Sequence, residues 1–246
     1  MKEPSSKKPY LDKTAKIFIK EVELKGGKPL YELTPEQARE FLTNLQYQYH
    51  KDLDAHVEDI EIFTEIAGTV SLRIIKPQEY KDQKLPLIIY CHGGGWVMGD
   101  AQSFDMTVRT IAKHTKSAVA FVNYSRSPEF QYPTALNQIY GAMKYLYENP
   151  DEFNIDSENI AITGDSAGGN MAAAAAIKAN KEGTVKLKCE ALVYPVTDAD
   201  MKTESYDQFK DGPWLTKKAM EWFWDAYMPE KSKRKDIYVS PLKADI

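Results

Sequence analysis

The sequence is poor in cysteine and histidine and has no long apolar run. Its two cysteines, Cys91 and Cys189, lie within apolar stretches, so we expect buried free thiols in a reducing compartment rather than a disulfide framework. The first residues, Met1–Pro4, lack the apolar stretch of a secretory signal. No run approaches the ~18 apolar residues that a membrane-spanning helix needs. These absences favour a cytoplasmic protein with no membrane span.

An excess of positive charge is also missing. The chain carries 32 Lys and Arg against 36 Asp and Glu, a net charge of −4, and this balance argues against a nucleic-acid partner. The basic run Lys231–Lys235 is interpreted as a solvated loop. The composition is 43% hydrophobic and 28% charged, which is ordinary for a globular protein, and 246 residues fit one α/β domain.

The chain does have a clear change of hydrophobic period after its first fifty residues. Thr34 followed by Pro35 and Gln37 is a helix start, and the helix is predicted to run to about Tyr47. Next, an alternating segment at 57–63 and a β-branched-rich segment at 69–75, with Ala67-Gly68 between them, predict an antiparallel hairpin. Strands are then predicted at 86–91, 118–123, 160–163 and 188–196, the first and last of them buried, and helices at 106–114, 134–147 and 167–181. This alternation predicts an α/β fold with a mostly parallel sheet and helices on both faces.

A tryptophan-rich segment follows the last predicted strand. Within it, Met220, Phe223, Trp224 and Tyr227 share one helical face, which favours an inserted helical cap over another strand. The predicted division of the chain is an N-terminal helical cap segment at 1–50, a core at 51–198, a cap insertion at 199–232 and a return to the core at 233–246.

A serine between two glycines stands where a strand should turn into a helix. In Gly164-Asp165-Ser166-Ala167-Gly168 the pattern matches the strand–turn–helix nucleophile elbow. The glycines remove side chains that would clash with the strand and the helix, and the helix N-terminus favours negative charge at the serine. The alternative is a serine that only caps the helix, with glycines present for tight packing.

A second glycine loop directly follows the predicted strand at 86–91. In His92-Gly93-Gly94-Gly95-Trp96, consecutive glycines let backbone N–H groups converge on one point, as an oxyanion hole requires. A phosphate cradle is the alternative, but no Gly-Lys-Ser or Gly-Lys-Thr follows and the glycine spacing does not match a dinucleotide site. The two loops together predict a serine hydrolase.

Two further motifs, Tyr124–Glu129 and Tyr132–Ala135, lie between the glycine loops. With all four motifs, the sequence resembles the hormone-sensitive-lipase-like esterases, also called bacterial family IV, of the α/β-hydrolase fold. The resemblance covers nearly the whole chain. The family's middle motif reads Tyr-Arg-Leu-Ala-Pro-Glu, whereas Ser125 and Ser127 depart from it here and Arg126 stands one place later.

The resemblance implies a role for each motif residue. It makes Ser166 the nucleophile, and it assigns the oxyanion hole to the N–H groups of Gly93, Gly94 and Ala167. No metal or organic cofactor is implied. The resemblance also gives some motif positions a structural role. None of these is the base or the acid of the triad: His92, Gly95, Gly164, Asp165 and Gly168.

The triad acid and base are the parts of this resemblance that the chain lacks. In the family both follow a stretch like Ser240–Leu242, close to the last residue of this sequence. All the histidines precede Ser166, and none is suited to be its base: His50, His56, His92 and His114. The acidic residues that were considered and judged unsuited are Asp198, Asp200 and Asp245. We therefore expect a truncated gene product, an expressed fragment or one piece of a split enzyme, without the triad Asp and His and without the last core strands.

The functional prediction is a serine carboxylic-ester hydrolase that acts on small apolar acyl esters through an acyl-enzyme. Because a serine hydroxyl needs a neighbouring base, we expect little or no activity from this chain alone. The alternative is a non-catalytic protein that binds small molecules on the same fold. The expected partners are a small-molecule ester and either a second copy of the chain or a complementing C-terminal fragment.

Overall fold

A computed structural model of the chain describes residues 10–47 and 53–245. The strands are β1 (Ala55–Thr64), β2 (Gly68–Pro77), β3 (Leu85–Cys91), β4 (Ala118–Val122), β5 (Ile155–Asp165) and β6 (Cys189–Val193). The helices are α1 (Lys13–Lys25), α2 (Pro35–Tyr47), α3 (Asp105–Thr115), α4 (Thr134–Glu148), α5 (Ala167–Glu182), α6 (Glu204–Gln208) and α7 (Lys217–Tyr227). No helix in these ranges is both long and apolar enough to cross a membrane.

The strands form one six-stranded sheet in the order β1-β2-β4-β3-β5-β6. β1 and β2 make an antiparallel hairpin in which Phe63 lies opposite Thr69, and β2 is antiparallel to β4. The β4–β3, β3–β5 and β5–β6 pairs are all parallel. The predicted mostly parallel sheet with a leading hairpin is therefore confirmed.

Side chains that alternate along the strands bury the two faces of the sheet separately. Val108 and Ala112 of α3 pack on one face with Tyr90 and Phe121. On the other face, α4 and α5 pack on residues such as Ile89 from the same strands. Because successive side chains of a strand point to opposite faces, helices pack on both faces of the sheet, as the sequence predicted.

Capping side chains set the first turns of two helices that build the site. The Thr34 hydroxyl accepts from the Gln37 N–H at 3.3 Å, and the Gln37 side chain accepts in return from the Thr34 N–H at 3.1 Å. This reciprocal pair is the predicted capping box at the start of α2. Thr216 likewise caps α7 by accepting from the Ala219 N–H at 3.1 Å.

Strand β6 departs from the sequence prediction. It was expected to be buried on both faces, but all five of its residues are exposed. In the described part of the chain β6 pairs only with β5 and forms one edge of the sheet, which leaves its outer side open. The expectation of two buried thiols is wrong for the same reason, because Cys91 is buried in β3 whereas Cys189 on β6 is exposed.

The basic run at 231–235 also differs from the expected solvated loop. Arg234 is 9% exposed, and its guanidinium donates to the Met228 carbonyl at 2.7 Å and to the Asp225 carboxylate at 2.5 Å. It therefore anchors the end of α7, while its lysine neighbours Lys231 and Lys233 are exposed.

Candidate active site

Ser166 occupies a strained turn between the end of β5 and the start of α5. Its φ of 54° and ψ of −117° are rare for a residue with a side chain, and such strain clusters at functional sites. Three backbone hydrogen bonds hold it: the Ser166 N–H donates to the Val193 carbonyl at 2.9 Å, and its carbonyl accepts from Asn170 and Val196 at 3.0 and 3.1 Å. Among the described residues, the Ser166 hydroxyl has no hydrogen-bond partner.

The glycines around Ser166 allow the elbow to lie against the end of β3. A Cβ on Gly164 would come within 2.6 Å of the Cys91 carbonyl oxygen and 2.5 Å of the Gly168 carbonyl carbon. A Cβ on Gly168 would overlap the carbonyl oxygens of both Cys91 and His92. Because these neighbours are backbone atoms, no side-chain movement can make room.

Asp165 ties the elbow to the glycine loop that follows β3. Its Oδ1 accepts from the Tyr90 hydroxyl at 2.8 Å and from the Gly93 N–H at 3.0 Å. Burial raises the pKa of Asp165, and these two hydrogen bonds oppose that rise. Burial beside the Asp165 charge also raises the pKa of Tyr90, so its hydroxyl stays protonated and donates.

The Asp165 contact changes the expected set of oxyanion donors. The Gly93 N–H, predicted to point into the hole, is instead used by Asp165, and a Cβ on Gly93 would overlap that carboxylate. The N–H groups of Gly94 and Ala167 have no acceptor within the described ranges. Gly94 has a φ of 106°, and a Cβ there would lie 2.5 Å from the Met98 carbonyl oxygen, so this position requires glycine.

His92 is a structural residue at the start of the loop. It is fully buried, its Nδ1 lies 2.8 Å from the Gly93 carbonyl, and its ring stacks on Tyr124 at 4.0 Å. Since a carbonyl oxygen can only accept, Nδ1 carries the proton and the Tyr124 hydroxyl donates to the His92 carbonyl at 2.9 Å. Burial lowers the pKa of His92 to about 4, so the ring is neutral at neutral pH.

The motif at 124–129 braces the same loop. The Ser127 N–H donates to the Trp96 carbonyl at 2.9 Å, and the Arg126 guanidinium donates to the Gly99 carbonyl at 2.9 Å. These contacts show what the motif does despite its departures from the family pattern. The sequence singled out this segment but gave no signal for its partners.

Arg39 of α2 clamps the loop and its brace together. Its Nε donates to the Val97 carbonyl at 2.9 Å, and its Nη2 donates to the Ser127 carbonyl at 3.0 Å. The same guanidinium makes a two-pronged pair with Glu129 at 2.9 and 2.6 Å. The Arg39 hydrogen bonds lower the pKa of Glu129 to about 2. Sequence reasoning missed Arg39 because nothing in a helix marks which arginine reaches a distant loop.

Helix α7 covers the glycine loop from the segment at 199–232. A Cβ on Gly95 would overlap the Phe223 ring, and the Trp96 ring stacks on Tyr227 at 4.4 Å. Met220, Phe223, Trp224 and Tyr227 are buried, as predicted for one face of this helix. The predicted cap helix thus rests directly on the loop.

Ser166 opens into a cavity of about 1070 Å³. Gly94, Gly95, Gly164 and Asp165 also line it, together with apolar side chains from α1, α2 and α7. Along the part of the chain that the structure describes, no histidine lines this cavity. The predicted nucleophile Ser166 therefore shares an apolar cavity with the glycine loop, and no histidine of the described residues lines that cavity.

No described histidine lines the cavity, and the candidate acids differ in whether they do. Asp198 and Asp200 line the cavity, but Asp198 pairs with Lys243 at 2.6 Å. His56 lies on β1 beside Glu58, and His114 is exposed at the end of α3. Asp245 is exposed and does not line the cavity, and His50 lies outside the described residues.

The chain is similar to known proteins of the alpha/beta hydrolase fold. Residues 88–246 match a family described as alpha/beta hydrolase fold. The chain is 37% identical over 234 residues to a protein of Acanthamoeba polyphaga mimivirus that is named as an alpha/beta hydrolase, covering 95% of this chain and 66% of that protein. It is 29% identical over 194 residues to an ethyl acetate hydrolase of Pseudomonas putida, covering 77% of this chain and 60% of that protein.

A solved structure is also similar over nearly the whole chain. The crystal structure of a thermostable esterase from Pseudomonas putida has a TM-score of 0.92 and 38% identity, covering 98% of this chain and 75% of that chain. By sequence, the present chain spans 66% of the length of the mimivirus protein and 60% of the length of the ethyl acetate hydrolase.

Proposed function

Because the chain belongs to the hormone-sensitive-lipase-like esterases of the alpha/beta hydrolase fold, we propose that it is a serine carboxylic-ester hydrolase. One observation carries this proposal: Ser166 is held in a strained elbow, and the nearby N–H groups of Gly94 and Ala167 have no acceptor among the residues that the structure describes. The name of the ethyl acetate hydrolase supports esters with a small acyl group as substrates.

The proposed reaction follows from these groups. The Ser166 oxygen bonds to the ester carbonyl carbon, and the electron pair of the C=O bond moves onto its oxygen. The N–H groups of Gly94 and Ala167 stabilise this oxyanion; losing one such donor typically costs about 3–4 kcal/mol. In this scheme Gly93 acts indirectly, since its N–H bond to Asp165 fixes the loop beside the elbow.

The hydroxyl proton of Ser166 must go to a base. The oxyanion's electron pair then re-forms the C=O bond, the C–O bond to the alcohol breaks, and the base gives the proton to the departing alcohol. Water next attacks the acyl-enzyme carbon and passes its proton to the base, the bond between the carbon and the Ser166 oxygen breaks, and the base returns the proton to Ser166 as the acid leaves. Histidine is the usual base for this step. No histidine of the described residues lines the cavity, so in this proposal a histidine outside those residues, in the same protein or in a complementing segment, supplies the base.

A second candidate is a protein that binds small molecules without turning them over. The observation in its favour is the Ser166 hydroxyl itself, which has no hydrogen-bond partner among the described residues. A binding protein would keep the apolar cavity and need no base. The two candidates differ in whether Ser166 can be made to react.

Chemical rescue by imidazole tests the proposal on the chain as it exists. The 246-residue protein is mixed with a chromogenic short-chain ester across a series of imidazole concentrations, and the Ser166→Ala variant is treated identically. Imidazole alone hydrolyses such esters, so the informative quantity is the rate difference between the two proteins. We expect this difference to rise with imidazole, because imidazole can accept the Ser166 proton, which no described histidine is placed to do.

Mass spectrometry after treatment with a phosphonate ester provides the second readout. An adduct on Ser166 that forms faster with imidazole supports the hydrolase. If Ser166→Ala matches the unchanged protein in both assays at every imidazole concentration, the serine mechanism is wrong and the binding function is favoured.

A further inference from the structure

An apolar wall lines part of the cavity that Ser166 shares. Helices α1 and α2 and the loop before α7 supply its side chains, which we call the aromatic wall: Phe18, Phe41, Leu42, Leu45, Trp214 and Leu215. None of these side chains carries a charge. Because three separate stretches of the chain converge there, the wall is a built surface rather than one face of a single helix.

Trp214 lies at the centre of this wall, and its backbone is strained. Its φ is 71°, which is unusual for a bulky residue, and its side chain remains 47% exposed. Its ring centroid lies 5.3 Å from that of Phe18 and 6.4 Å from that of Phe41. A strained backbone that presents the largest apolar side chain to an open cavity is poorly explained by core packing.

Helix α1 also contributes to the aromatic wall rather than to the core. None of its thirteen residues is buried, so the helix contributes little to the core. Its Phe18 nevertheless lines the cavity and contacts Trp214. The helix therefore adds an aromatic ring to the cavity instead of apolar area to the interior.

The size of the cavity matches a substrate larger than a short-chain ester. A volume of about 1070 Å³ lies slightly above the range of small-molecule sites, which is roughly 300–1,000 Å³. Uncharged rings whose centroids lie 5.3 and 6.4 Å apart offer offset and edge contacts to another flat ring.

We propose that the aromatic wall is a subsite for an uncharged aromatic ring of an ester substrate. The ring lies on one side of the ester carbonyl, and the group on the other side of that carbonyl is small. The ring's position rests on the wall alone, whereas the placement of the carbonyl at Ser166 rests on the proposed function. Trp214, Phe41 and Phe18 determine specificity in this assignment and take no part in bond making.

Binding of a ketone pair tests the subsite without any turnover. Benzylacetone has the shape of benzyl acetate with a methylene in place of the ester oxygen, and cyclohexylethyl methyl ketone is its ring-saturated counterpart. Isothermal titration should show that the protein binds the aromatic ketone about threefold or more tightly than the saturated one, because only a flat ring can stack. Equal affinities, or no binding of either ketone, would overturn the proposal.

Substitutions at Trp214 test whether its side chain contributes to the binding energy of the ketone. Trp214→Ala should weaken benzylacetone binding by about tenfold, whereas Trp214→Phe, which keeps a ring, should stay within about threefold. Phe63→Ala is the matched control, since Phe63 is 71% exposed on β1 and does not line the cavity. Unchanged binding in a folded Trp214→Ala, or an equal loss in Phe63→Ala, would refute the assignment.

Two more measurements separate this inference from the proposed function. Ser166→Ala should bind benzylacetone as the unchanged protein does, because the wall holds the ring; loss of binding would overturn the subsite. A failed imidazole rescue with intact ketone binding would instead refute only the hydrolase. Saturating benzylacetone should also slow amide hydrogen exchange in α1, and unchanged exchange there would remove Phe18 from the subsite.

Discussion

At the scale of single residues, Gly168 shows how closely the elbow and the glycine loop approach each other. Its absent side chain leaves room for the carbonyl oxygens of Cys91 and His92. We predict that Gly168→Ala lowers the free energy of unfolding by about 3 kcal/mol or more, because only the backbone can yield. Urea titration measures the loss.

Gly183→Ala is the control for this prediction. Gly183 has a φ of 63° at the end of α5, and a Cβ there would meet nothing within 4 Å. Backbone strain alone should cost it about 1 kcal/mol. If the two variants lose equal stability, the close approach at Gly168 is not what requires glycine.

His92 predicts a pH dependence of stability. Burial lowers its pKa to about 4 from an ordinary value of 6.5, so between these values the unfolded chain binds a proton that the folded protein does not. Stability is therefore lost as the pH falls through this window, by about 3 kcal/mol in all from this residue.

His92→Phe checks this expectation because phenylalanine keeps a ring to stack on Tyr124 and cannot take up a proton. It should be less stable at neutral pH, since the bond to the Gly93 carbonyl is gone. Urea titrations at neutral pH and at about pH 4.5 should show a smaller decrease for the variant. The same decrease in both proteins would mean that other groups produce it.

At the scale of elements, Arg39 links α2 to the site. We predict that Arg39→Ala lowers the free energy of unfolding by about 2–3 kcal/mol, because two backbone carbonyls and a carboxylate lose a charged donor. Glu129→Gln should cost less than about 1 kcal/mol, since that side chain is 45% exposed. Urea titration ranks the two.

The exposed pair of Lys84 and Asp151 supplies the control for the Arg39 prediction. Its atoms lie 3.7 Å apart, and the side chains are 58% and 95% exposed. Lys84→Ala should therefore change stability by less than about 0.5 kcal/mol. An Arg39→Ala variant as stable as Lys84→Ala would show that the clamp does not hold α2.

The same elements show what the sequence could predict. The starts of α2 and α7 were predictable because Thr34 and Thr216 are local capping signals. The exposure of β6 was not, because an apolar run looks the same whether a further strand covers it or not. Arg234 and the Asp165 bond to Gly93 were missed for a related reason: their partners are set by tertiary packing.

At the scale of the whole molecule, β6 leaves one sheet edge open. Leu192 and Val193 are 37% and 44% exposed on it. An exposed apolar edge strand offers unpaired backbone groups to another chain, so we predict that this chain self-associates with rising concentration. Sedimentation velocity measures it, and Leu192→Lys should shift the protein toward the monomer.

Leu24→Lys is the control for self-association, because Leu24 is 77% exposed and lies on helix α1 rather than on a strand. It should leave the association unchanged. If it suppresses association as Leu192→Lys does, added charge rather than the β6 edge is responsible. A monomer at all concentrations would contradict the prediction directly.

The unequal exposure of the two cysteines has a practical consequence. Burial raises the pKa of the Cys91 thiol and shields it, whereas Cys189 is open to solvent. A maleimide dye would therefore attach at one position without any engineering. That position shares a strand with Val193, whose carbonyl holds the Ser166 N–H, so the dye would report optically on whatever docks along the strand bordering the elbow.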